Sequence, residues 1–145
     1  MRMIATILTS IQNLFNLKND KSTTRRHETI TSRENPKSDT IFTECLFNSI
    51  EASQDNGGAI YVDKEINIII EKTKFVQCSC VREGGSLYIS GAHASLFCLV
   101  IFRSHTKTSA ENIGGNAFSF YDAEVKMTDF VVTESWTDSE CGDSP

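Results

Sequence analysis

The sequence predicts an all-β fold: a short right-handed parallel β-helix of three to four coils, preceded by an amphipathic helix. Three observations carry that expectation. Paired glycines recur in GGAIYV at 57–62, GGSLYI at 84–89 and GGNAFS at 114–119, so the pairs stand 27 and then 30 residues apart. Phe47, Phe75, Phe102 and Phe130 recur at intervals of 28, 27 and 28. After the glycines, apolar residues fall on alternate positions: Ile60 and Val62, Leu87 and Ile89, then a weaker third run at Ala117 and Ser119. That two-residue period belongs to a strand with one packed face.

The elements follow in order. At 1–17, Ile4, Ile7, Leu8, Ile11, Leu14 and Phe15 share one helical stripe, predicting a short amphipathic helix or a degenerate targeting segment. A membrane-surface anchor needs many more basic residues opposite such a stripe. No apolar stretch reaches 18 residues, so no membrane span is expected in this chain. Residues 18–40 hold one large aliphatic residue, Ile30, among charges and hydroxyls, and read as a flexible linker. Residues 41–135 carry the repeats, and 136–145 read as a disordered tail.

Aligning the repeats on the phenylalanines places Phe42, Ile70, Phe97 and Val125 in one apolar column, and Cys45, Thr73, Val100 and Thr128 in a compact one. A unit of about 27 residues built of short strands cannot bury its own face, so successive units must stack. Like residues then lie above one another about 4.8 Å apart, with the four phenylalanines as an internal ladder. The glycines fit where the backbone needs a positive φ or where a side chain would strike the next layer.

Composition narrows the function. At 145 residues the chain is one domain at most. Residues 1–40 carry seven Lys/Arg against four Asp/Glu, and residues 41–145 seven against fifteen, so the repeat region has a net charge of -8. Nucleic acid is therefore not an expected partner. Five cysteines without framework spacing predict mostly free, buried thiols and no zinc site.

The repeats GGAI at 57–60 and GGSL at 84–87, with their strand and phenylalanine segments, resemble those of polymorphic outer-membrane proteins and related right-handed parallel β-helix surface proteins. The resemblance spans 41–135. Those repeats pair GGA-I with F-x-x-N, whereas here Ile50, Cys78, His105 and Thr133 stand three residues after the phenylalanines. An internal asparagine ladder is thus missing, and less regular layers are expected. The resemblance implies a pectin lyase-like fold and a non-enzymatic surface or adhesin-like repeat protein making protein or glycan contacts. The alternatives are a vestigial carbohydrate-active β-helix and a cytoplasmic structural fragment. A cell-surface or secreted location follows if the chain belongs to a longer precursor, and a cytoplasmic one otherwise.

No catalytic, cofactor-binding or metal residues are assigned from sequence. Polysaccharide chemistry needs converging carboxylates; of the candidates Asp55, Asp63, Glu71, Glu83, Glu111, Asp122 and Asp129 most lie in loops, and neither the column Thr43, Glu71, Cys98, Lys126 nor the column Leu46, Lys74, Ile101, Asp129 places two carboxylates on adjacent layers. Cys78 and His105 share a column position, but a nucleophile also needs oxyanion donors and zinc about four ligands. The candidate binding surface is an outward aromatic stripe of Tyr61, Tyr88 and Phe118, each three residues past a glycine pair. The final strand, around 123–133, has no proline or glycine and few charges, so edge-to-edge self-association or partner binding is expected there.

Overall fold

A computed structural model describes residues 23–107 and 117–137 of the chain. The predicted helix at 1–17 lies outside the described residues, as do 18–22 and 138–145.

Each turn of chain contributes short strands to three parallel sheets. The first sheet stacks β1 (Thr24–Arg26), β3 (Thr40–Thr43), β7 (Asn67–Glu71), β11 (His93–Phe102) and β14 (Glu124–Thr133). Around its corner the same sheet stacks β2 (Thr29–Ile30), β4 (Leu46–Asn48) and β8 (Lys74–Val76) onto β11. The second sheet is β6 (Ile60–Val62), β10 (Leu87–Ser90) and β13 (Phe118–Tyr121). The third is β5 (Glu51–Ala52), β9 (Ser79–Cys80), β12 (His105–Thr106) and β15 (Trp136–Thr137). Every ladder is parallel, and Thr24, Thr40, Ile68, Ala94 and Val125 stand one above another at spacings of 16, 28, 26 and 31. The fold is an all-β parallel solenoid of about three full turns, with a shorter turn in front.

That shorter turn corrects the linker reading. Residues 23–40 carry β1 and β2, and Glu34 bridges to Ile60. Ile30 is buried at the head of the column that continues through Phe47 and Phe75. Composition misled because a solenoid layer needs very little apolar area of its own: the next layer supplies its backbone partners, and one inward side chain fills its share of the core. At the other end Trp136 and Thr137 form β15, not the start of a disordered tail.

The phenylalanine ladder holds for two members only. Phe47 and Phe75 stack with ring centroids 4.8 Å apart and planes 8° from parallel. Below Phe75 the column continues as Ile101 and Val132. Phe102 pairs with Val76 outside the core, and Phe130 pairs with Leu99. The turn after Phe75 is one residue shorter than the phenylalanine spacing, and a one-residue slip sends every side chain to the opposite face. The same slip puts Leu96, not Phe97, beneath Ile70, with Met127 after it.

The first two glycine pairs do what the sequence asked of them; the third, at 114–115, lies outside the described residues. Gly57 and Gly84 have φ of 65° and 67°, while a Cβ on Gly58 would lie 2.0 Å from the Gly85 carbonyl oxygen in the next layer. Two other corners use ordinary residues in the left-handed region. Glu44, Lys72, Cys98 and Asp129 have φ of 49–53°, and Ser49, Gln77, Arg103 and Glu134 have φ of 51–56°. Each costs roughly 1–2 kcal/mol locally, which the interlayer ladders offset.

Candidate functional site

Two surfaces emerge from this architecture: the outward face of the β6-β10-β13 sheet, and the C-terminal end of the stack. On the sheet, Ile60, Leu87 and Phe118 form one inward column, and Val62, Ile89 and Phe120 the next. Outward positions are then Tyr61, Tyr88 and Ser119 in one row, with Ser90 and Tyr121 in another.

The predicted aromatic stripe is thus assembled in part. Tyr61 and Tyr88 stack at 5.4 Å and 13°. Phe118 does not join them: it pairs with Leu87, lies parallel to Phe120 at 5.2 Å and meets Phe130 edge-on at 6.2 Å. The glycine-based alignment misplaces it by one residue, since the step from Leu87 to Phe118 is 31 residues, one more than the spacing of the glycine pairs. Sequence reasoning missed Tyr121, although the alternation in Phe118-Ser119-Phe120-Tyr121 contains the signal once Phe118 and Phe120 are both turned inward.

Arg33, from the supposed linker, covers the other end of the tyrosine pair. Its guanidinium lies 4.7 Å from the Tyr61 ring centroid, and its Nε donates to the Gly57 carbonyl at 2.9 Å. The guanidinium also donates to the Asn56 carbonyl and reaches Asp55 at 3.4 Å. Partial burial raises the Tyr61 phenol above its ordinary value, helped by the charges of Asp63 and Asp55. One face of Tyr61 is therefore under Arg33 and the other against Tyr88. A sugar ring needs an open aromatic face, and within this pair only the side of Tyr88 toward Ser119 is not taken by the other ring or by Arg33. The Ser119 hydroxyl donates to Glu83 there at 3.0 Å.

Cys78 and His105 are not brought together. Cys78 is fully buried, and burial pushes its thiol up to about 11, opposite to what a nucleophile or metal ligand requires. The His105 backbone N–H bonds the Cys78 carbonyl at 3.0 Å, but His105 pairs with Ser79 and its ring stacks on Trp136 at 4.8 Å. Cys45, Cys78, Cys80 and Cys98 are free thiols, with Cys98 the exposed one. Among the described residues no group of three or more His, Cys, Asp or Glu could hold a metal ion, and no helix is long and apolar enough to cross a membrane. The acids disperse: Asp55 faces Arg33, Asp63 faces Lys37 at 3.4 Å, and Glu71 accepts from the Thr43 hydroxyl at 3.0 Å.

The second surface is the last layer. Among the described residues β14 pairs on one side only, with β11. Tyr121, Phe130, Val131 and Trp136 are 68%, 47%, 53% and 45% exposed. Phe118, Phe120, Val125, Met127 and Val132 pack against the core yet stay partly open. One layer earlier, Leu99 and Ile101 in the same columns are fully buried. A comparison with protein-family models, with characterised proteins and with solved structures finds no match to the chain.

Proposed function

We propose that the chain is a non-enzymatic repeat protein of the surface or adhesin type, whose contacts are made to protein through the C-terminal end of the solenoid. The observation that carries this reading is the apolar exposure of the last layer: Phe130 is 47% exposed where its column-mate Leu99 is buried, Val125, Met127 and Val132 stay half-open where Ala94, Leu96 and Ile101 are buried, and Val131 and Trp136 add exposed apolar surface in outward columns. Contiguous apolar surface at an open sheet edge is costly to leave in water and marks interaction sites. Resemblance of the GGAI and GGSL repeats to polymorphic outer-membrane proteins supports the same class, and right-handed winding is the hand expected of parallel crossovers. Protein is favoured over glycan because the Tyr61 ring lies between Arg33 and Tyr88.

The test is sedimentation of the chain at several concentrations, wild type against Val131→Lys. Val131 shares an outward column with Lys74, so lysine is already accepted at that place in the fold. Wild type is expected to associate at high micromolar concentration and the variant to do so less. A wild type that stays monomeric at every concentration sinks the reading.

A further inference from the structure

Resting on that reading, we propose that the C-terminal edge binds an extended partner segment as one more parallel strand, and that the existing columns define its chemistry. Glu124 donates to the Ala92 carbonyl at 3.0 Å, and the Thr133 carbonyl accepts from Arg103 at 3.1 Å. In a parallel ladder successive residues turn their N–H and C=O to opposite neighbours. The backbone groups of Val125, Met127 and Val132 therefore point away from β11, toward the open edge. An added strand satisfies them and covers the half-open side chains of the same residues in one step.

Register then specifies the strand. The columns read Ile68, Ala94, Val125; then Ile70, Leu96, Met127; then Phe75, Ile101, Val132. Between them lies the left-handed corner shared by Glu44, Lys72, Cys98 and Asp129. A fitting segment has apolar residues opposite Val125, Met127 and Val132, and a corner residue opposite Asp129 that tolerates positive φ. Charge narrows it further. The last layer holds Asp122, Glu124, Asp129 and Glu134 against Lys126 alone, so basic residues are favoured at outward positions. The corner column already contains such a pair, with Lys72 Nζ 3.5 Å from Glu44. The favoured partner is thus a basic, alternating apolar segment, bound more tightly than an acidic one such as the last layer of a second copy.

The chain's own residues 67–77, NIIIEKTKFVQ, meet the specification, placing Ile68, Ile70, Lys72 and Phe75 opposite Val125, Met127, Asp129 and Val132. A labelled peptide of that sequence, titrated into the full chain and followed by fluorescence anisotropy, is expected to bind saturably and to compete with the self-association seen in sedimentation. Val132→Lys points a charge inward at the edge and should weaken binding about tenfold or more. Asp129→Lys, at a corner where Lys72 is already accommodated, should weaken it about threefold and make it less sensitive to salt. A control peptide with lysine replacing the residues aligned with Val125 and Val132 should not bind. Amide exchange should slow at Met127 and Val132 when the parent peptide is present. Absence of peptide binding, or equal binding by wild type and both variants, overturns the strand proposal. If wild type still associates in that case, the protein-contact reading survives without it.

Discussion

Phe75 and Phe102 carry the same side chain at the same nominal repeat position, and the structure gives them opposite environments. Phe75 is fully buried against Phe47, whereas Phe102 lies outside under the Arg103 guanidinium at 4.8 Å. Phe75→Ala should therefore cost about 3–5 kcal/mol, while Phe102→Ala should cost no more than about 1 kcal/mol. Urea unfolding of the two variants measures both, and equal losses would restore the four-membered ladder. The sequence made the two look alike because the first two phenylalanine intervals, 28 and 27, match the true column spacings of 28 and 26 to within one residue, and a sheet face inverts on a shift of one. Thiols give a second prediction at this scale. Burial raises Cys78 and Cys80 to about 11 from an ordinary 9. The folded state thus favours the neutral thiols, a stabilisation fully present below pH 9 and lost as pH rises toward 11. Unfolding midpoints should fall across that window, and serine at both positions should flatten the fall. Reaction with a disulfide reagent at pH 8 should label Cys98 rapidly and leave Cys78 and Cys80 protected until the chain unfolds.

Strands of two to five residues are held mainly by their corners, and the corners differ in how far sequence exposes them. At Gly58 the requirement is steric: a Cβ would lie 2.0 Å from the Gly85 carbonyl oxygen and 2.5 Å from that of Ser79. Backbone atoms cannot give way cheaply, so Gly58→Ala should be strongly destabilising and should lower the thermal midpoint more than any exposed-strand substitution. Only glycine meets that demand, which is why the paired glycines were legible as repeats. The β3-β4 and β7-β8 corners were not legible, because Glu44, Lys72, Cys98 and Asp129 have no residue type in common. What they share is a φ near 50°. Glycine relieves that strain at the cost of its own chain entropy, so Lys72→Gly should raise stability by about 0.5–1 kcal/mol, the exposed pair with Glu44 contributing little. A fall in the thermal midpoint of that variant would show that the corner is not strained. The slip at Phe102 arises between β10 and β11, where Ile89 to Ala94 is five residues against six from Val62 to Ile68, and the displacement at Phe118 arises later. From Cys80 to Leu87 is seven residues, but from Thr106 to Phe118 is twelve, so the whole lengthening of the last full turn lies between β12 and β13. An alignment that spreads length evenly around the turn misplaces Phe118 and everything after it until the pattern is re-anchored on Phe120.

A solenoid has two ends, and among the described residues the first and last layers do not match each other. Head-to-tail stacking would set β1 and β2 of one copy on β14 of another. That arrangement puts Arg26, the column-mate of Phe42, opposite Met127 and strips it from Glu28 at 2.7 Å and Glu34 at 3.2 Å. Removing a charge from its partners into an apolar column is expensive. The corner also fails to superimpose: Arg26 to Thr29 is three residues, whereas Met127 to Val131 is four, as is Phe42 to Leu46. The polar first layer, the part of the fold that composition concealed most completely, is therefore a barrier to open-ended polymerisation. Association through the apolar end is left with contacts between like ends, and a two-fold contact of that kind closes on itself. Sedimentation of wild type should accordingly stop at twice the 16.2 kDa chain mass however far concentration is raised. Arg26→Leu removes the charge that guards the head, and should permit species larger than the dimer, provided Val131 is left in place. Higher oligomers from wild type, or no change in size distribution for Arg26→Leu at a concentration where wild type is fully dimeric, would mean that something other than the first layer limits growth of the stack.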